Sequence, residues 1–305
     1  MSRLTERGEP GGPTPAISVA VPVLDGGARL LDLVRAVRAQ VVGTGPVELL
    51  LADSGSRDGA FDEAVKLGEA RAFDVAPGEF DHGAVRTALV RRARAPLVAL
   101  LSQDAVPRGE RFLEALAAPF VVADVAGATA RQLPRPDADA LQRAELERWT
   151  PNLAEPFVVR RLPPGGPRLH PAERMRLARH DNVGSMVRRC HVLEHPFPAR
   201  PFGEDLSWGW RVLNAGLALA YVPAATVEHS HRPTLSAVFA RNRVAHRQAR
   251  REFGLLAVPT PLAGALALVA GVPGDLRDGG IEGVLRGLPR RSAALLGQYV
   301  GAREA

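Results

Sequence analysis

Short apolar runs alternate with segments of helical spacing over the first hundred residues. In chain order the pattern predicts strand 16–23, helix 28–42, strand 47–52, helix 61–67, strand 72–75, helix 83–93 and strand 96–102. The strands are continuous apolar runs, which is typical of parallel strands covered on both faces. This order of elements predicts an α/β fold, doubly wound, with a mostly parallel central sheet and helices on both faces.

The pattern changes after residue 130, where a Pro-rich segment interrupts the alternation. The later elements predicted are helix 138–149, strands 183–187, 217–222 and 225–229, a helix that begins after Glu204 and Asp205, a basic helix 234–253 and a final helix 281–299. The rest of the stretch 134–181 is irregular. We interpret the boundary near residue 130 as a change of role within one fold rather than as a linker between domains.

Composition narrows the functional classes. The chain has 305 residues, of which 46% are hydrophobic and 24% charged, as in ordinary globular proteins. Its net charge of +6 invites an anionic partner. Lys66 is the only lysine, however, and no zinc-finger spacing or aromatic-basic interleaving accompanies the arginines. No nucleic-acid partner is therefore expected.

Targeting signals and cysteine usage predict a cytoplasmic protein. Cys190 is the only cysteine, so an internal disulfide framework is excluded. Residues 1–15 are polar, rich in Gly and Pro, and predict a disordered tail rather than a secretory signal. The longest uncharged stretch, 254–274, is interrupted by Pro259 and Pro261, and what remains is too short to span a bilayer.

Two aspartates follow predicted parallel strands, at the edge where open α/β sheets bind ligands. Asp53 opens a dense turn and could accept hydrogen bonds from a nucleobase N–H or a ribose hydroxyl. The alternative is a turn in which Ser56 or Asp58 caps the next helix. Asp104 could hold a divalent cation that bridges two phosphates, or could be a turn residue before Pro107.

Three further groups carry candidate chemistry. Arg86 lies one turn into a predicted helix, where an anion site or a capped surface helix are both consistent with the pattern. Glu204 and Asp205 open a helix and serve either its dipole or a proton transfer. His229 and His231 share a strand face, so both could point into one metal site, although this spacing is often incidental.

Seven segments resemble those of family 2 glycosyltransferases with the GT-A fold, and most of all the bacterial rhamnosyltransferase-like group. In chain order they read VPVLDGG, DSGSRDG, EFDHGAVRT, LSQDAVP, RQLPRPDA, GEDLSW and EHSH. The resemblance covers about residues 16–235. It implies an inverting transferase that moves a sugar, such as a deoxysugar like rhamnose, from a dTDP- or UDP-linked donor to an acceptor hydroxyl.

The resemblance also implies roles for individual residues. Asp205 would be the general base, with Glu204 beside it. The residues that would bind the donor are Pro22, Asp25, Asp53, Ser54, Arg86, Gln103 and Asp104. Asp104 and His229 would hold a Mn²⁺ or Mg²⁺ ion, with His231 as the alternative to His229. Arg86 would lie on the diphosphate side, and Asp53 would bind the base. The carboxylate of Asp205, near a helix N-terminus, is expected to be ionised and to act as a weak base.

The resemblance divides the chain by role. A nucleotide-sugar-binding half over 16–130 and an acceptor or catalytic half over 131–233 make one GT-A domain, and 234–305 form a C-terminal helical extension. The sequence departs from the family in one respect that bears on the metal. Ser102 stands where the first aspartate of the Asp-x-Asp motif is expected, which leaves Asp104 as the one firm carboxylate ligand.

The acceptor is expected to be a glycan, a lipid-linked molecule or a small molecule. Trp208, near the proposed base, is a candidate stacking platform for a sugar, with core packing as the alternative. Asn182 is a second candidate acceptor contact. The arginines of helix 234–253, with help from segment 262–272, could dock on the anionic inner face of the plasma membrane, or form a solvated charged face.

Two other classes stay open. A nucleotidyltransferase of similar architecture usually has a Gly-rich basic loop after the first strand, often with a lysine, whereas the loop from Asp25 to Arg29 has none. A catalytically silent nucleotide-sugar-binding protein is favoured by Ser102.

Overall fold

The computed structural model describes residues 4–7, 14–43, 45–200 and 202–305. The strands are β1 (Leu4–Arg7), β2 (Ile17–Val23), β3 (Val47–Asp53), β4 (Arg71–Val75), β5 (Leu97–Leu101), β6 (Val106–Pro107), β7 (Val125–Leu133), β8 (Val158–Arg160), β9 (Gly184–Arg188) and β10 (Ala218–Glu228). The helices are α1 (Gly27–Arg38), α2 (Ala60–Gly68), α3 (His82–Arg92), α4 (Phe112–Ala117), α5 (Ala140–Trp149), α6 (Pro171–Leu177), α7 (Arg189–Glu194), α8 (Glu204–Asn214), α9 (Leu235–Phe253), α10 (Pro261–Ala270) and α11 (Val272–Gly301).

The chain divides into two compact units. The first comprises 1–133, 151–164 and 177–229 and contains every strand named above. The second comprises 134–150, 165–176 and 230–305. It therefore adds α5 and most of α6 to the C-terminal segment, although the sequence analysis assigned those stretches to the acceptor half.

One mixed sheet runs through the first unit in the order β1-β4-β3-β2-β5-β9-β7-β10-β6, with β8 paired to β10. The run β4-β3-β2-β5 and the pair β7–β10 are parallel. The predicted α/β class with a mostly parallel central sheet flanked by helices is confirmed. Strand β9 is antiparallel to β5 and β7, so its first residue, Gly184, lies opposite Leu101 at the end of β5.

This reversal decides where the site can form. Because β9 runs against its neighbours, the residues that precede it lie at the same sheet edge as the loops that follow β2, β3 and β5. The backbone N–H of Ser102 accordingly donates to the carbonyl of Val183, at 3.1 Å. Segment 180–183 therefore joins the loops in which ligand-binding residues were predicted.

Burial explains why the central strands could be recognised from their apolar runs. All seven residues of β2 are buried, as is typical of a parallel strand covered on both faces. Helix α1 contributes the buried residues Leu30, Leu33, Val34 and Val37. Each such side chain stabilises the fold by about 1.5–3 kcal/mol relative to its exposed state.

Strand β1 lies in the segment that was predicted to be a disordered tail. Leu4–Arg7 pair antiparallel with β4 at the edge of the sheet, and Leu4 is buried. The sequence prediction fails for these four residues because an isolated strand of alternating polarity is not recognisable without its partner. Residues 1–3 and 8–13 of the predicted tail lie outside the described residues.

Strand β10 was predicted as two strands, 217–222 and 225–229. The structure has one strand with an irregularity, since Val222 pairs with Ala130 and Thr226 with Arg131. The three residues between Val222 and Thr226 begin with Pro223, which has no N–H to give to the ladder. The bulge therefore accommodates the proline.

Helices make up the second unit. Helix α9 confirms the basic helix predicted over 234–253. Helix α10 occupies part of the uncharged stretch 254–274, and α11 changes direction at Gly280, whose φ is 61°. No helix of the described residues is both long and apolar enough to cross a bilayer.

Candidate functional site

Three loops at the carboxyl edge of the sheet are tied together by side chains. The amide of Gln103 accepts from the N–H of Leu24 at 2.7 Å and donates to its carbonyl at 2.9 Å. Asp25 accepts from the N–H of Arg57 at 2.7 Å, and its own N–H donates to Ser56 at 2.9 Å. Gln103 and Asp25, both predicted to bind the donor, thus fix the loops that follow β2, β3 and β5.

Asp53 uses one carboxylate oxygen for its own loop. Its Oδ1 accepts from the N–H groups of Gly55 and Ser56, at 3.2 and 2.9 Å. Its Oδ2 lies 3.8 Å from the guanidinium of Arg7. One carboxylate oxygen of Asp53 therefore holds the turn, and the other faces Arg7. Of the two residues proposed to cap the next helix, Asp58 accepts from the N–H of Ala60 at 3.1 Å. Base binding by Asp53 stays a prediction.

Two residues predicted beside Asp53 have different environments. The hydroxyl of Ser54 is buried without a hydrogen-bond partner among the described residues. Pro22 is buried in β2 and lies beyond the last β2–β5 pair, Ala20–Leu100. Pro22 pairs with Ala52 of β3 near the carboxyl end of the sheet, and its role as a donor contact stays a prediction.

Asp104 and His229 come together, as predicted. His229 Nε2 lies 3.6 Å from Asp104 Oδ1. On its other side, His229 Nδ1 lies 3.1 Å from the Gln132 side-chain oxygen, and Gln132 Nε2 donates to Asp181 at 2.5 Å. With the Gln132 oxygen accepting at Nδ1, a neutral His229 carries its lone pair on Nε2, the atom nearest Asp104. His231 is exposed and falls within the second unit.

Asp205 lies in an acidic and partly buried environment at the start of α8. Its Oδ2 accepts from the N–H of Asn182 at 3.3 Å, and its Oδ1 from the N–H of Leu206 at 2.7 Å. Burial, followed by the charges of Glu204 and Asp181, raises the pKa of Asp205 to about 8. The expectation of an ionised, weak base is therefore wrong, because desolvation and like charge outweigh the helix N-terminus.

Arg86 forms a buried ion pair with Glu204, at 2.6 Å. Both side chains are about 7% exposed, so the guanidinium predicted for the diphosphate is engaged by a carboxylate in this structure. Gly83 permits this contact, since a Cβ there would collide with the carbonyl of Pro198 and come within 3.3 Å of Glu204 Cβ. Helix α3 can therefore approach the start of α8 closely only with glycine at this position.

Trp208 is fully buried, which corrects its prediction as an acceptor platform. Its indole N–H donates to the His195 carbonyl at 2.7 Å, and its ring packs 4.8 Å from His180 and 5.0 Å from Phe197. The alternative of core packing is correct. Burial also lowers the pKa of His180 to about 3, so this ring stays neutral.

Asn182 is buried as well and does not offer its side chain to an acceptor from this position. Its amide oxygen accepts from Ser185 at 3.0 Å, and its amide nitrogen lies 3.4 Å from Glu204. Its backbone N–H binds Asp205. Asn182 therefore supports both acidic residues of α8.

Sequence reasoning missed three residues that shape the site: Arg7, Gln132 and Asp181. Gln132 belongs to the segment RQLPRPDA, so its place at the end of a strand was a usable signal. Asp181 lies three residues before Gly184, where β9 begins, and the antiparallel direction of that strand was not predictable from its apolar run. Arg7 gave no signal.

Residues 14–250 match the family described as glycosyltransferase-like family 2. The chain belongs to this family. As a family 2 glycosyltransferase it is similar to the O-antigen chain rhamnosyltransferase RfbN of Salmonella typhimurium, with 25% identity over 74% of this chain and 69% of the relative. It is 28% identical to WbaN of Salmonella anatum, also an O-antigen chain rhamnosyltransferase, over 74% of this chain and 70% of the relative.

The fold of this glycosyltransferase is similar to that of the mannosyltransferase PcManGT from Pyrobaculum calidifontis, solved in complex with GDP-Man and Mn²⁺. The TM-score is 0.63 at 15% identity, and the match covers 94% of this chain and 85% of the mannosyltransferase. The GT-A fold and the predicted enzyme class are thereby confirmed. Family membership also decides against the nucleotidyltransferase alternative.

Proposed function

We propose that this glycosyltransferase transfers a sugar from a nucleoside-diphosphate donor to an acceptor hydroxyl with inversion, and that Asp205 is its general base. The observation that carries the proposal is a continuous run of side chains from Asp104 through His229 and Gln132 to Asp181. The charge of Asp181 acts on Asp205. The candidate diphosphate site and the candidate proton acceptor are thus linked through Asp181 and the next residue, Asn182, whose N–H donates to Asp205 at 3.3 Å.

A divalent metal fits the donor set of Asp104 and His229. Two bonds of about 2.1 Å each can join atoms up to about 4.2 Å apart. The separation of 3.6 Å between Nε2 and Oδ1 meets this condition. An imidazole ligand favours Mn²⁺ over Mg²⁺, which prefers oxygen. When bound, such an ion would neutralise charge on the departing diphosphate.

Asp205 is suited to accept a proton at neutral to mildly alkaline pH. A base with a pKa near the working pH combines a useful deprotonated fraction with proton affinity. Asn182 and Leu206 hold both of its oxygens through backbone N–H groups. In the proposed displacement the acceptor oxygen bonds to the anomeric carbon, the bond to the diphosphate breaks, and the hydroxyl proton passes to Asp205.

The rhamnosyltransferase relatives support a deoxysugar such as rhamnose as the transferred group. We propose dTDP as the carrier of this sugar, with a UDP-linked sugar as the second candidate. The acceptor would be a glycan hydroxyl, free or linked to a lipid. For Arg86 the proposal assigns a positioning role on Glu204, since one of its terminal nitrogens already pairs with that carboxylate.

Donor binding is expected to raise the thermal midpoint in a metal-dependent manner. A ligand at 100 times its Kd stabilises a protein by about 2.7 kcal/mol. In a screen of dTDP-rhamnose, UDP-glucose and GDP-mannose with Mn²⁺, we expect a shift of several degrees for one donor, which EDTA removes. His229→Ala should lose the metal-dependent part. No shift with any donor, or a shift unaffected by EDTA, would count against the donor and metal assignments respectively.

We further propose that the second unit docks on an anionic membrane. Helix α10 has no charged residue, and Leu262, Leu266 and Val269 on one of its faces are 68%, 63% and 68% exposed. Helix α9 of the same unit carries exposed arginines, among them Arg250 and Arg251. An apolar helix face and basic residues in the same compact unit are the two features that favour binding to an anionic interface.

Wild-type protein is expected to sediment with phosphatidylglycerol vesicles at low salt and to be released at high salt, because surface charge is screened over a Debye length. Leu262→Ser with Leu266→Ser should weaken this binding. Val121→Ser is the matched control, since Val121 is 83% exposed but belongs to the first unit. Absence of binding at low salt, or equal binding of both variants, would exclude the proposed docking face.

A further inference from the structure

Arg7, the last residue of β1, gathers three aspartates near the carboxyl ends of β3 and β4. Its Nε donates to both carboxylate oxygens of Asp74, at 3.0 and 2.9 Å. One of its terminal nitrogens donates to Asp62 at 3.1 Å. The other also contacts Asp74 and lies 3.8 Å from Asp53 Oδ2. The N-terminal strand therefore brings a cation to the residue that we propose for the nucleobase.

The guanidinium is held in a fixed orientation. Its carbon lies 5.1 Å from the centroid of the Phe61 ring, and the backbone of Arg7 pairs with Ala72 in the sheet. The bidentate contact with Asp74 fixes the plane of the fork. The side chain is nevertheless 43% exposed, so its remaining edge can meet a ligand.

Arg7 and Asp53 present a donor and an acceptor side by side. Asp53 Oδ1 is engaged by two backbone N–H groups, whereas Oδ2 faces Arg7 at 3.8 Å, which is longer than a hydrogen bond. An N–H next to a carbonyl oxygen complements this pair. Thymine, uracil and guanine carry such an edge.

We propose that Arg7 is a specificity-determining residue of the donor site, which orients Asp53 and donates a hydrogen bond to a carbonyl oxygen of the nucleobase. This inference rests on the proposed function, because it takes Asp53 as the base-binding residue. The other interpretation is that Arg7 only neutralises three carboxylates and attaches β1 to the sheet. The two interpretations differ in whether removing Arg7 weakens only the binding of ligands that carry a nucleobase.

Calorimetric titration with dTDP, UDP, GDP and inorganic pyrophosphate, each with Mn²⁺, separates them. Arg7→Ala is expected to weaken the nucleoside diphosphate that wild-type protein binds most tightly by about tenfold, as for a hydrogen bond to a charged group. Binding of pyrophosphate, which lacks a base, should not change. Arg7→Lys keeps the charge without the planar fork and should give an intermediate loss.

Arg38→Ala is the matched control, because the Arg38 side chain is 46% exposed and pairs with Glu69 on the surface at 3.3 Å. If Arg7→Ala does not fold, Asp74→Asn decides, since it removes the anchor of the guanidinium and should also weaken nucleoside diphosphates selectively. If Arg7→Ala loses as much affinity for pyrophosphate as for the nucleoside diphosphate, or loses none, the role of Arg7 is overturned. The donor assignment is not affected by that outcome. Wild-type protein that binds none of the nucleoside diphosphates overturns the donor assignment and this inference with it.

Discussion

Replacing Asp205 by Asn is expected to lower the transfer rate by about 10²–10⁴-fold, the usual range for the loss of a general base. The amide has nearly the same shape and can still accept from the N–H of Asn182, but it cannot take a proton. Initial-rate kinetics with saturating donor would measure the effect. Asp124→Asn, which changes a carboxylate paired with Arg161 at 2.8 Å, is the control and should retain wild-type turnover.

The same residue predicts how activity depends on pH. Only the deprotonated carboxylate accepts a proton, and its pKa is raised to about 8, so kcat/KM should rise about tenfold per pH unit below 8 and then level off. Asp205→Asn should lack this limb. Turnover of the variant near that of wild type, or an unchanged limb, would remove Asp205 from the role of base.

The free energy of unfolding gives an independent check that Asp205→Asn lowers the rate by removing the proton acceptor and not by unfolding the protein. The pKa of Asp205 rises from 3.8 to about 8 on folding, so the folded protein binds this proton more tightly. Stability from this group is complete below pH 4 and declines as pH rises towards 8. The neutral amide avoids that decline. At pH 8 the free energy of unfolding of the variant should therefore be at least as high as that of wild type.

The sequence predicted those features of the fold that depend on residues close together in the chain. Strands β2, β3 and β5 are buried on both faces, so each appears as an apolar run. Asp53 ends β3, and Asp104 lies three residues after the end of β5. The carboxyl ends of parallel strands lie at one edge of the sheet, which is why the sequence alone places these two residues near the site.

The properties that failed to follow from sequence are set by residues far apart in the chain. Trp208 is surrounded by His180 and Phe197, and no local pattern distinguishes that environment from an exposed stacking platform. The pKa of Asp205 depends on burial and on Asp181, which reaches it only because β9 is antiparallel. A helix-start argument alone gives the opposite direction.

Replacing Arg86 by Leu is expected to lower the free energy of unfolding by about 3–5 kcal/mol, because it leaves the buried carboxylate of Glu204 without its ion-pair partner. Asn182 remains near Glu204, but at 3.4 Å its amide is a weak substitute. Urea denaturation would measure the change. Arg161→Leu, which breaks an exposed ion pair, is the control and should leave stability nearly unchanged.

Removing both charges tests the cause. Arg86→Leu combined with Glu204→Leu should recover most of the loss, since apolar replacement of a whole buried pair is often neutral or better. Because the charge of Arg86 lowers the pKa of Asp205, the single variant should also move the acid limb of activity to higher pH. A loss below about 1 kcal/mol in the single variant would mean that water reaches Glu204. Arg86 would then be accessible to the donor diphosphate, as the sequence alone suggested.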